Sequence, residues 1–116
     1  MREELLGPLG RIIELCNTLQ GETLLNIQQE TLVDTIKGVA RDLFDVVISV
    51  PDLTWDKARE ILSYEAREHL ASVIGYAELL LEEEDGPLND LQGDYLLQIR
   101  EDGGYLLGIL LDLESE

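Results

Sequence analysis

Few side chains in this sequence have a type and a position that could support chemistry. There is one histidine, His69, and one cysteine, Cys16, which lies on an apolar helical stripe where we expect a packed core thiol. Histidine phosphotransfer requires an imidazole on an accessible surface. A di-metal centre in a helical bundle requires two Glu-x-x-His pairs, and a nucleotide site requires a glycine-rich phosphate loop; the sequence has neither pattern. We therefore expect no catalytic residue, no metal site and no cofactor, with His69 as an alternative phosphoacceptor.

The charge balance narrows the classes of partner. The chain has 116 residues, of which 45% are hydrophobic, and its 25 acidic and 8 basic residues give a formal net charge of −17. Such a surface repels phosphate backbones and anionic lipid, so we expect neither nucleic acid nor membrane as a partner. No apolar run approaches the roughly 20 residues that a membrane-spanning helix needs. The N-terminal residues have no signal-peptide character, and we expect a cytoplasmic protein.

One acidic cluster, Glu82-Glu83-Glu84-Asp85, has two interpretations. It is either a solvated helix end that leads into a turn, or a docking patch for a basic partner surface. The sequence alone leaves both open.

Hydrophobic spacing by threes and fours predicts four helices and no strand. The predicted helices span residues 2–20, 27–50, 55–84 and 90–113. Pro51 is expected to stop the second, and Thr54 to cap the third. The fourth helix is expected to bury Leu91, Tyr95, Leu96, Ile99, Leu106, Leu107 and Leu110, and to bend or pack closely at Gly103-Gly104. Short connections and wide apolar stripes predict a single all-α domain over residues 1–116, an antiparallel four-helix bundle of hairpins 1–50 and 55–116.

The two hairpins resemble each other as an internal repeat. Their second helices begin with matching pairs, Asn26 with Gln29 and Asn89 with Gln92, which predicts a capping box in each. The second helices align with an offset of 63 residues and the first helices with an offset of 61, which places Ile99 on Ile36. The change of offset falls in the hairpin loop, where insertions are tolerated.

The first helix of each hairpin carries a family motif. Residues 70–80 contain Leu70, Val73-Ile74-Gly75-Tyr76 and Glu78-Leu79-Leu80, and residues 3–9 read Glu3-Glu4-Leu5-Leu6-Gly7-Pro8-Leu9. These segments resemble the motif H-E-L-R-T-P-L-x-x-I-I-G-Y-x-E-L-L of the dimerisation and phosphoacceptor (DHp) domain of sensor histidine kinases. In that register the phosphoacceptor histidine is replaced by Glu3 in the first copy and by Tyr64 in the second. His69 lies five residues after position 64, about 140° around the helix.

The resemblance implies a regulatory module and not an enzyme. Two family hairpins dimerise into one bundle, so a chain with both hairpins is expected to be a monomeric pseudo-dimer, with a homodimer as the alternative. The resemblance implies a partner such as a response-regulator receiver domain, a histidine kinase, or further domains of the same chain. Family bundles bind receiver domains on the first helices near the histidine, which here implies a face that comprises Leu6, Tyr64, Arg67, Glu68 and Ala71.

Overall fold

The computed structural model describes residues 2–50, 54–62 and 64–115, and over these residues the chain forms five α-helices and no strand. The helices are α1 (Arg2–Glu22), α2 (Ile27–Ile48), α3 (Trp55–Ile61), α4 (Tyr64–Leu81) and α5 (Asp90–Ser115). The predicted all-α class is confirmed. The residues between the two predicted hairpins are 51–54, and of these 51–53 lie outside the described residues. Among the helices that the structure describes, none combines the length and apolar character needed to span a bilayer.

Four of the helices form an antiparallel bundle that measures 43 × 24 × 19 Å. Helices α1 and α2 pack as one hairpin and α4 and α5 as the other, while α1 also packs on α5 and α2 on α4. Helices α1 and α4 therefore lie on one diagonal of the bundle and α2 and α5 on the other. The short helix α3 packs against α5.

The core follows the predicted stripes. Its fully buried large side chains come from all four bundle helices and include Ile12, Leu19, Val33, Ile36, Val73, Leu80, Leu96, Ile99 and Leu106. Cys16 is also fully buried, as expected, and burial raises the pKa of its thiol to about 12. Leu91 was predicted to face inward, but it is 46% exposed; the buried side chain at this turn is Gln92.

The prediction of one continuous third helix over residues 55–84 was wrong. Helix α3 ends at Ile61, Leu62 has a non-helical ψ of 82°, and α4 ends at Leu81. The apolar residues Ala58, Leu62, Ala66 and Leu70 recur every four residues, and each such step turns a straight helix by about 40°. A straight helix would therefore place Ala58 about 120° away from Leu70. The break lets Ala58, which is fully buried, pack on the same core as Leu70.

Both predicted capping boxes are present. In each hairpin the asparagine side chain accepts from the glutamine backbone N–H at 2.8 Å, and the glutamine side chain accepts from the asparagine N–H at 2.9–3.0 Å. Thr54 caps α3 as predicted and accepts from the Lys57 N–H at 3.2 Å.

The two capping glutamines also bind across the bundle. Gln29 donates from Nε2 to the Pro87 carbonyl at 3.3 Å, and Gln92 donates from Nε2 to the Leu24 carbonyl at 3.0 Å. The donors differ by 63 residues, and so do the acceptors, so the two contacts are repeats of each other. Both glutamines are 3% exposed. This reciprocal pair ties each hairpin loop to the start of the other hairpin's second helix.

Gly86 is required by the tight packing of these loops. Its φ is +134°, and a Cβ built there would lie 2.5 Å from Asn26 Nδ2. We expect Gly86→Ala to lower the free energy of unfolding by about 1–2 kcal/mol, because an L-residue is strained at this φ and must displace Asn26. Chemical denaturation measures the change. Gly93→Ala is the control, because a Cβ there contacts nothing and should raise stability by up to about 1 kcal/mol. A loss at Gly93 equal to that at Gly86 would contradict the explanation.

Candidate functional site

The residues predicted to bind a partner fall into two equivalent sets on two helices. The offset of 61 residues places Glu3 on Tyr64 and Leu6 on Arg67. Because α1 and α4 lie diagonally in the bundle, the structure does not bring these sets together. Leu6 belongs to a first copy of the face, on α1, and the other predicted residues belong to a second copy, on α4.

The copy on α4 is the more complete one, and we call Tyr64, Arg67, Glu68 and Ala71 the α4 face. Their spacing of three and four residues places them on one side of the helix. Glu68 and Ala71 are exposed and Arg67 is half-buried; Tyr64 begins the helix, and its side chain lies outside the described part of the chain. The opposite side of α4 is buried in the core through Ala66, Leu70, Val73, Ala77 and Leu80. Glu68 and Ala71 are therefore accessible to a partner.

His69 is exposed on α4 but points away from the α4 face. The five-residue step from position 64 turns His69 about 140° around the helix from Tyr64. A protein that docks on the α4 face therefore does not meet the imidazole. Among the described residues, no group of three or more His, Cys, Asp or Glu side chains could hold a metal ion.

A shallow groove runs along the outer surface of the first hairpin. It is lined by Gly10, Ile13, Glu14, Arg41, Phe44 and Asp45. At the equivalent positions of the second hairpin, Gly75, Gly104 and Gly108 replace Glu14, Arg41 and Asp45, and Ala71 replaces Gly10; all four are exposed. Side chains this small allow a partner helix to approach the backbone closely. The equivalent surface of the second hairpin, which we call the α4–α5 groove by analogy with the first, has open space over its three glycines and continues the α4 face through Ala71.

An ion pair between an exposed arginine and a buried aspartate joins the two hairpins, and the sequence patterns did not predict it. Arg11 of α1 donates two hydrogen bonds to Asp102 of α5, from Nε and Nη2, each at 2.8 Å. Gln98 adds a third donor to Asp102 at 3.1 Å. Asp102 is 4% exposed. The hydrogen bonds and charge of Asp102 raise the pKa of Arg11, so the guanidinium keeps its charge.

A signal for Asp102 was present in the sequence. The residue follows Ile99 by three positions and precedes Leu106 by four, which places a carboxylate on the apolar stripe of its helix. A charge at such a position has to be paired. The sequence does not identify Arg11 as the partner, because the apolar stripe of α5 does not show which helix Asp102 faces.

Comparison with known proteins gives one partial similarity. No family model matches the chain, and no solved structure matches it significantly. A stretch of 53 residues is similar to the cell-division control histidine kinase PdhS, with 42% identity in Brucella canis and 40% in Brucella ovis and Brucella abortus. The stretch is 45% of this chain and 5% of each kinase. The chain is therefore similar, over nearly half of its length, to a small part of these histidine kinases.

Proposed function

We propose that this chain is a non-catalytic signalling bundle, similar to the DHp domain of histidine kinases, that binds a protein partner in a two-component-type pathway. One observation carries the proposal. The similarity to histidine kinases coincides with a bundle of two like hairpins, in which the family resemblance assigns glutamate and tyrosine to the phosphoacceptor positions. A protein that keeps the shape of a phosphotransfer bundle without its nucleophile can still bind the proteins that such bundles bind.

The α4 face and the groove beside it are the proposed contact surface. Glu68 and Ala71 are exposed, and Gly75, Gly104 and Gly108 leave open space along the groove. A helix of a receiver domain fits such a groove, because small residues let two helices pack closely. A histidine kinase or further domains of the same chain are the other partners of this proposal.

The pseudo-dimer supports a monomeric form of the bundle. In the family, two separate hairpins combine, whereas here Gln29 and Gln92 join two hairpins of one chain by equivalent hydrogen bonds. A single chain thus makes the four helix–helix contacts of the bundle, which are α1 with α2, α4 with α5, α1 with α5 and α2 with α4. We propose that it acts as a monomer of 13.0 kDa.

The test uses a panel of purified receiver domains, each phosphorylated with radiolabelled phosphate. We expect saturable binding of at least one domain, with no acid-labile label transferred to the chain. Ala71→Arg should weaken that binding by about tenfold or more, because a long charged side chain blocks the groove and costs at least 1.4 kcal/mol. Fluorescence anisotropy measures the binding, and gel autoradiography measures the label.

Asn17→Arg is the matched control, since it adds the same side chain at an exposed position of α1 far from the α4 face. Its affinity should remain within about twofold of the unsubstituted chain. Acid-labile label that disappears in His69→Ala would replace the proposal with the phosphotransfer alternative. Binding that is unchanged by Ala71→Arg would show that the partner uses another surface.

A further inference from the structure

A further groove lies at the hairpin-loop end of the bundle, between the start of α2 and the last turn of α4. It is lined by Ile27, Gln28, Thr31, Leu32, Leu79 and Asp85. Ile27 is 82% exposed and Leu79 is 37% exposed, so two large apolar side chains face solvent from the two helices. Leaving them in water forgoes the free energy that a partner would gain by burying them.

This apolar pair is not a by-product of the repeat. By the offset of 63, Ile27 is equivalent to Asp90, and by the offset of 61, Leu79 is equivalent to Thr18. The fold thus accepts polar residues at both equivalent positions, which lie on the opposite side of the bundle. Only the side between α2 and α4 has the apolar pair.

The groove is acidic at its loop end. Asp85 lines it, and the three glutamates that precede Asp85, Glu82, Glu83 and Glu84, are exposed. None of the six lining residues is basic. A second copy of this chain, with its net charge of −17, would be repelled, and so would an anionic lipid surface. The acidic end is complementary to a cationic partner.

We propose that this groove binds a basic amphipathic helix of a partner protein. Leucine-like side chains at helical spacing would contact Ile27, Leu32 and Leu79, and lysine or arginine side chains on the flanks would face Asp85 and the neighbouring glutamates. This is the helix-in-groove mode of recognition. Leu79 follows Ala71, the last residue of the α4 face, by eight residues, about 12 Å along the helix, so the groove lies beyond that face toward the hairpin-loop end. It adds a second docking surface at that end of the bundle.

The test uses a fluorescein-labelled 18-residue model peptide of leucine and lysine, with leucines at helical spacing, and measures anisotropy. We expect saturable binding to the intact chain and at least a tenfold loss in the double variant Ile27→Asp/Leu79→Thr, because about 1.4 kcal/mol or more of apolar contact is removed. The two new residues copy Asp90 and Thr18, so the fold should be kept, and circular dichroism and thermal unfolding verify it. The double variant carries one more negative charge than the intact chain. If the peptide bound through charge attraction alone, it would therefore bind the double variant more tightly.

Leu91→Asp is the matched control. Leu91 is 46% exposed, lies in the first turn of α5, and is equivalent to Gln28 on the opposite side of the bundle. It adds the same charge, and we expect the peptide affinity to stay within about twofold. No binding to the intact chain, or equal binding to the intact chain and the double variant, would overturn the proposal. A dimer in sedimentation that the double variant loses would overturn it in favour of a second copy as the occupant.

Discussion

Replacing Arg11 with serine is expected to lower the free energy of unfolding by about 2–3 kcal/mol. The guanidinium supplies two of the three hydrogen bonds that Asp102 accepts, and it supplies the charge that balances a carboxylate with a side chain only 5% exposed. In the variant, Gln98 alone faces that carboxylate. This loss of stability is smaller than the largest losses that follow the removal of one partner from a fully buried ion pair. The reason is that the Arg11 side chain is 54% exposed, so its removal lets water reach the carboxylate.

The pH dependence of this contribution follows from the direction of the pKa shift. Folding raises the pKa of Arg11 through its hydrogen bonds and its attraction to Asp102. A base with a raised pKa stabilises the fold at every pH below its unfolded value and loses that contribution only as pH rises through the folded value. The pair should therefore stabilise the protein throughout the neutral and mildly alkaline range.

The repeat provides a control for this prediction. By the offsets of 61 and 63, the residues equivalent to Arg11 and Asp102 are Ser72 and Val39. The double variant Arg11→Ser/Asp102→Val copies that uncharged arrangement and should recover most of the stability lost in Arg11→Ser. Urea denaturation of the single and double variants measures the coupling. Equal losses in the two would mean that the buried charge is not the cause.

The parts of the fold that depend on local sequence could be predicted. Helix periodicity gave the bundle and most of its core, and the spacing of Asn26 with Gln29 gave a capping box, because both patterns depend on residues a few positions apart. The positions of Tyr64 and Glu68 on one side of α4 followed for the same reason.

Contacts between distant segments could not be predicted. The sequence indicates that Gln29 caps a helix, but its bond to the Pro87 carbonyl depends on how two loops meet. The break at Leu62 was missed because a spacing of four suits a helix locally, and the accumulated rotation matters only against the rest of the core. The apolar groove was missed because Ile27 and Leu79 each look like an isolated surface residue until the fold places them together.

Replacing Gly103 with leucine is expected to lower the free energy of unfolding by about 2 kcal/mol, whereas leucine at Gly104 should raise it by up to about 1 kcal/mol. The sequence predicted that this glycine pair bends the helix or packs closely, and the structure separates the two residues. Gly103 is buried, and a Cβ there would lie 3.0 Å from Ile74 Cγ1. A Cβ at Gly104 would contact nothing. Both substitutions gain helix propensity, and only the first overpacks the core.

The first hairpin sets the size limit at this position. Gly103 is equivalent to Ala40, which is 1% exposed, and Ile74 is equivalent to Ile13. Because that hairpin accommodates a methyl group beside its isoleucine, Gly103→Ala should be near neutral while Gly103→Leu is not. Shortening Ile74 to alanine should cost less in the Gly103→Leu background than in the native one, since it makes room for the new side chain. Additive effects of these two substitutions in denaturation would show that Gly103 and Ile74 do not limit each other.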